Sequence, residues 1–188
     1  MPSRSLDRDA WVRLAVDILA EEGLAGLRVE ALAKRLGVTK GSFYWHFKDR
    51  QALLDAVLEE WRTGRIQDCE RQAQVSPDRA AEQLRHVMDT YAINPNRKGV
   101  MIELAVRDWA RRDAAAASAV EQVDEARRNN AAQLFRTAGF ADEEAEMRAL
   151  LLYTHAFGLS MMVFERHGDE VARLHTAIAA LIAGSPRN

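Results

Sequence analysis

Four of the chain's thirteen phenylalanine, tryptophan and tyrosine residues fall within five positions, as Phe43, Tyr44, Trp45 and Phe47, with Lys40 and Lys48 on either side. On a helix, Phe43 and Phe47 are four residues apart and share a face, which is expected to be the core side. Tyr44, Trp45 and His46 then point largely away from it. A core alone does not need this density of rings on so short a helix, so some of them are expected to face a partner. The Tyr44 phenol can donate to a phosphate oxygen while its ring rests on the domain. Lys40 and Lys48 are natural phosphate contacts, which position a protein on nucleic acid without reading sequence. Base reading would fall to Lys40, Gly41, Ser42, Trp45 and His46.

Charge points the same way. The chain carries −2 overall, yet the seventeen residues from Lys34 to Arg50 hold five cations and the single anion Asp49, a net +4 that leaves −6 for the other 171. A locally basic segment on an acidic body suits a molecule of which one face meets phosphate.

These residues must be held by short helices. Leu27 to Lys48 reads as a short helix, a three-residue turn (Gly37, Val38, Thr39) and a second short helix. That is the spacing of a helix-turn-helix, in which the second helix enters the major groove. Leu32, Ala33, Leu36 and Val38 can pack the two helices together, and Thr39 is placed to cap the second. Gly41 and Ser42, in its first turn, allow close approach of the backbone to DNA, where helix N-terminal amides favour phosphate.

Prolines number only four and no segment alternates with period two, so the whole chain reads as helix. The expected fold is all-α, about nine helices. The first runs from Leu6 to Glu22, capped by Ser5 or Asp7 and ended by Gly23. Val29 to Leu36 and a helix after Thr39 follow, then a longer one from about Asp49. Ser76-Pro77-Asp78 reads as a helix start and Asn94-Pro95-Asn96 as its stop. Further helices are expected over Val100 to Ala110, from Asp113 to Ala138, from Asp142 to His167 and from Asp169 to Ala183. Domain boundaries are expected at 1–48 for a helix-turn-helix DNA-binding domain and 49–188 for a helical ligand-binding and dimerisation domain.

The run Gly23 to Leu54, with Val38-Thr39-Lys40-Gly41-Ser42-Phe43-Tyr44-Trp45-His46-Phe47-Lys48 as its centre, resembles the tetracycline-repressor (TetR) family. The resemblance covers about the first 60 residues. It implies a dimer whose two recognition helices read a palindromic operator, usually repressing nearby genes. It also implies DNA contacts from Thr39, Lys40, Tyr44 and Lys48. Where family members often place Thr or Ser at the start of the second helix, this chain has Arg28, which cannot N-cap but could reach a phosphate directly.

The remainder is expected to dimerise and sense. Between Leu150 and Phe164 the apolar residues cover nearly the whole helix circumference, as in a helix buried on more than one side. Leu152, Ala156, Phe157, Leu159, Ser160 and Val163, with Leu174, Ile178 and Leu181 of the last helix, are the expected isologous interface; the resemblance implies the same two terminal helices. Trp61, Met88, Tyr91, Met101, Trp109, Phe135 and Tyr153 could line an apolar effector cavity, with Glu103 or His86 as polar anchors.

Other chemistry is not encoded. The five histidines show no metal-binding spacing, Cys69 is the only cysteine, and no phosphate-binding loop, nucleophile elbow or catalytic base stands out. No cofactor or metal is expected. A lone thiol fits a reducing cytoplasm, no secretory signal is expected after Met1-Pro2-Ser3-Arg4, and no stretch approaches the roughly 18–20 apolar residues of a membrane span. The sequence thus predicts a cytoplasmic homodimeric repressor that binds double-stranded DNA and is released by a small-molecule effector. An all-helical enzyme using the C-terminal cavity, or a dimerisation module independent of DNA, are the alternatives.

Overall fold

The computed structural model describes residues 7–92, 97–162 and 167–184, apart from the side chains of 90–92. Among them there are nine α-helices and no strands. They are α1 (Arg8–Glu22), α2 (Val29–Leu36), α3 (Lys40–Tyr44), α4 (Arg50–Ala73), α5 (Ala80–Ala92), α6 (Arg97–Ala110), α7 (Ala114–Thr137), α8 (Asp142–Met161) and α9 (Gly168–Ala183). The all-α class read from the sequence is the observed one.

The residues group into two compact units: 1–64 with 97–122, and 65–96 with 123–188. In the first, the Asp7 carboxylate accepts the Ala10 amide at 2.8 Å and so caps α1. Trp11, Ala15, Ile18 and Leu19 bury one face of that helix. Gly23 ends it at φ 67°, in the left-handed region that favours glycine. Helix α6 packs against α1 in the same unit, with Lys98 Nζ 2.6 Å from the Asp17 carboxylate. Asp49 and Asp113 accept the amides of Ala52 and Ala116, each at 2.9 Å, and so cap α4 and α7.

The second unit is built on Leu84, Met88, Phe135, Ala149, Leu152 and Ile182, all essentially inaccessible to solvent, from α5, α7, α8 and α9. Arg148 ties α8 to the end of α9, donating to the Leu181 carbonyl at 3.2 Å and the Ile182 carbonyl at 2.5 Å.

Several helix limits differ from those expected. Ser76 makes no side-chain cap; a 3-10 turn, Pro77–Arg79, precedes α5. Helix α6 begins at Arg97, three residues before Val100. Asp142 is the first residue of α8, after Ala141 at the cap, and its carboxylate instead takes Arg136 Nε at 2.8 Å. Helix α8 ends at Met161 rather than His167, because Met162 turns to an extended ψ of 152°. The expected Ser5 cap, the Asn94-Pro95-Asn96 stop and Val163 lie outside the described residues, as does the Tyr91 side chain.

Candidate nucleic-acid interface

Helix α2 is strongly amphipathic, with Val29, Leu32 and Ala33 buried and Glu30, Lys34 and Arg35 exposed. Gly37 adopts φ 69°, ψ 29° and donates its amide back to the Lys34 carbonyl, while Val38 donates to Ala33. This left-handed turn is inexpensive only for glycine, and it starts α3 in a new direction. The hydroxyl of Thr39 occupies the cap position of α3 but makes no capping hydrogen bond, contrary to expectation. Small Leu36 and Val38 contributions complete the packing, each half-buried.

The aromatic run sorts by helical phase. Phe43 and Phe47 are buried and stacked, centroids 5.2 Å apart, and the edge of Trp11 meets Phe43 at 5.4 Å. Tyr44 stands edge-on to Phe43 at 5.3 Å yet is 53% exposed, and Trp45 is 89% exposed. His46 and Ser42 are half-buried, while Arg28, Thr39, Lys40, Gly41 and Lys48 are exposed. The anchored inner face thus fixes an outer face of Lys40, Gly41, Tyr44, Trp45 and Lys48.

The cations of the segment are not equivalent. Arg50 Nε donates to the Leu27 carbonyl at 2.6 Å and ties the start of α4 to the turn before α2. Arg35 pairs with Glu21, at 2.9 Å, and with Glu22 on α1. Lys40 Nζ lies 2.5 Å from Glu30 Oε1. The hydrogen bond from Lys40 holds the Glu30 carboxyl below its usual range, and the same bond raises Lys40. Lys34 and Lys48 make no ion pair among the described residues. Glu30 was not singled out from the sequence, because only the crossing of α2 and α3 brings it beside Lys40. The signal was its standing as the one acidic residue between Arg28 and Lys48.

Residues 12–57 match the family model described as bacterial regulatory proteins, tetR family. Over 58 residues the chain is 47% identical to the class C tetracycline repressor protein of Escherichia coli. The N-terminal segment is therefore similar to that of the TetR family. That match takes in 31% of this chain and 26% of the repressor, so the likeness to curated relatives rests on the N-terminal segment. The fold likeness reaches further. A TetR transcription regulator from Haloarcula marismortui superposes with a TM-score of 0.72 at 19% identity, covering 94% of this chain and 95% of that one. A transcriptional regulator from Saccharomonospora viridis, solved in complex with choline, superposes with a TM-score of 0.70 at 16% identity, covering 91% and 94%.

The other expected site residues are dispersed. Of the effector set, Trp61, Met101, Glu103 and Trp109 lie in the first unit and His86, Met88, Phe135 and Tyr153 in the second. Met101 and His86 are exposed, whereas Met88 and Phe135 are packed in the second unit's core with Tyr153. Glu103 is buried and accepts from Arg107 Nε at 2.8 Å on its own helix. The first unit has a groove of about 710 Å³ between α1 and α4, and the second one of about 310 Å³ beside Phe140 and Ala180. Neither is lined by a residue of the expected set.

Of the expected interface residues, Leu152 and Ala156 are sealed inside the second unit, which corrects their assignment to a partner surface. Phe157, Leu159 and Ser160 are half-buried; the Ser160 hydroxyl donates to the Phe157 carbonyl at 2.8 Å. Leu174, Ile178 and Leu181 are exposed, as are Met147, Leu150, Leu151 and Met161 on α8 and Met162 just after it. Among the described residues no cluster could hold a metal ion, and no helix is long and apolar enough to cross a membrane.

Proposed function

We propose that the chain is a DNA-binding transcriptional regulator, working as a homodimer and acting as a repressor that a small-molecule effector releases. The observation that carries this reading is the outer face of α3: Tyr44 and Trp45 stand in solvent on a buried Phe43–Phe47 anchor, flanked by Lys40 and Lys48. Tyr44, Lys48, Thr39 and Arg28 would hold phosphates, and Lys40, Gly41, Ser42, Trp45 and His46 would meet base edges in the major groove. Residues 1–48 would form the DNA-binding domain and 49–188 the regulatory one, in the cytoplasm beside the chromosome.

The apolar stripe of α8 and α9 supports a dimer. Met147, Leu150, Leu151, Leu174, Ile178 and Leu181 are large and exposed, and a patch of this kind is the usual mark of an interface. Two such faces would meet across a two-fold axis and present two recognition helices about 34–36 Å apart. Effector binding would favour an arrangement in which that spacing is lost. Helix α4 contributes residues to both units, which supports its role as the connection. Choline in the Saccharomonospora viridis relative supports a small molecule as the effector class.

Gel shift against the DNA upstream of the protein's own gene tests the reading. Wild type is expected to shift it, and Tyr44→Ala and Lys48→Ala to weaken the shift. A folded wild type with no affinity for any duplex at low salt would leave the enzyme or dimerisation-module alternatives standing.

A further inference from the structure

We infer that Glu30 and Lys40 act together to read one G·C base pair in each half-site, Lys40 on the guanine and Glu30 on the cytosine. The inference rests on the DNA-binding reading above and assigns a sequence preference to it.

The two side chains meet across the helix-turn-helix, Nζ to Oε1 at 2.5 Å, with 53% and 67% of their side-chain surfaces exposed. Lys40 opens the recognition helix and Glu30 lies in the first turn of α2. The pair therefore stands beside the outer face formed by Gly41, Tyr44 and Trp45. An exposed ion pair contributes little to stability, and a carboxylate facing a polyanion is repelled by it. Stability alone is thus a poor reason for the one acid between Arg28 and Lys48 to stand here. A carboxylate becomes favourable at DNA only where it meets a donor, and cytosine N4 offers one in the major groove.

The hydrogen-bonding inventory fits. An ammonium has three donors, so one spent on Glu30 leaves two for guanine N7 and O6. Glu30 Oε1 accepts from Lys40, leaving Oε2 for the cytosine N4 hydrogen. Across its major-groove edge a G·C pair presents acceptor, acceptor, donor, and the Lys40–Glu30 pair presents donor, donor, acceptor. An A·T pair would set the adenine N6 donor against the ammonium. The hydrogen bond from Lys40 keeps Glu30 ionised, as this role requires.

The experiment is selection from duplexes with a randomised centre, using wild type, Glu30→Ala and Lys40→Ala, each checked for an unchanged thermal midpoint. Wild type is expected to enrich a palindrome with a G·C pair of fixed orientation in each half. Each variant should lower the preference for that pair over A·T about tenfold, leaving other positions unchanged. In the selected site, 7-deazaguanine at that pair should weaken wild type but not Lys40→Ala, and N4-methylcytosine should weaken wild type but not Glu30→Ala. A Glu30→Ala protein that keeps the wild-type preference, or that binds every sequence more tightly by the same factor, overturns the inference. Wild type that binds no duplex overturns the DNA-binding reading itself, a result separable from the others.

Discussion

Lys48 follows α3 with its ammonium exposed and no ion pair among the described residues, while Arg35, equally cationic, is held by Glu21 and Glu22. Counterion release depends on cations that reach phosphate rather than on formal charge. Lys48→Ala should therefore lower the slope of log affinity against log salt by about one unit per protomer and weaken all sequences alike. Arg35→Ala should leave that slope unchanged; filter binding across a salt series separates the two. On the inner face, truncating fully buried Phe43 removes its stacking with Phe47 and its edge contact with Trp11. Phe43→Ala should cost about 3–5 kcal/mol, read as a lower urea midpoint. The division between Phe43 and Tyr44 was legible in the sequence because helical phase alone decides it. Glu30 was not legible as a partner of Lys40, since ten residues and a turn separate them and only the crossing angle unites them.

The turn between α2 and α3 depends on Gly37, and the comparison with Gly64 isolates why. Neither glycine has a neighbour within 4 Å of where a Cβ would stand, so sterics between side chains do not distinguish them. Gly37 has φ 69°, whereas Gly64 sits within α4. Gly37→Ala should destabilise by about 1–2 kcal/mol through the left-handed backbone, and Gly64→Ala should stabilise by about 0.5–1 kcal/mol through helix propensity. Thermal melts of the two variants moving in the same direction would contradict this. Helix ends marked by glycine were readable to the residue, α2 stopping before Gly37 and α1 before Gly23, whereas α1 starts at Arg8, two residues after the expected Leu6. The end of α8 was not. Leu159 to Phe164 is an unbroken apolar run apart from Ser160, with no glycine, proline or capping residue to mark where Met162 leaves the helix.

The exposed stripe on α8 and α9 and a pair of histidines on the same two helices bear on the assembled molecule. Composition indicated that α8 is apolar on nearly every side, but which residues face inward required the packing of α5, α7 and α9, which buries Leu152, expected at the interface, and leaves Leu150 exposed. Leu150→Glu with Leu181→Glu should yield a monomer by sedimentation, and a monomer should bind a full palindrome no better than a half-site. Deeper in the second unit, His155 Nε2 lies 3.0 Å from His175 Nδ1, with the rings parallel, and His175 Nε2 is 3.4 Å from the Asp89 carboxylate. Of two nitrogens at that distance one must donate and the other accept, so the contact requires at least one to be unprotonated. Burial, and then the charge of His175, hold His155 below the ordinary histidine pKa of 6.5. Unfolding restores the ordinary value, so as pH falls the unfolded chain takes up the proton first and the folded state loses ground. The contribution is complete above pH 6.5 and is lost below it, as pH falls toward the lowered value. Urea midpoints of wild type and His155→Gln measured from about pH 8 to about pH 5 should therefore converge toward the acid end. A gap between the two that stays constant across the series would mean that His155 does not change its proton affinity on folding.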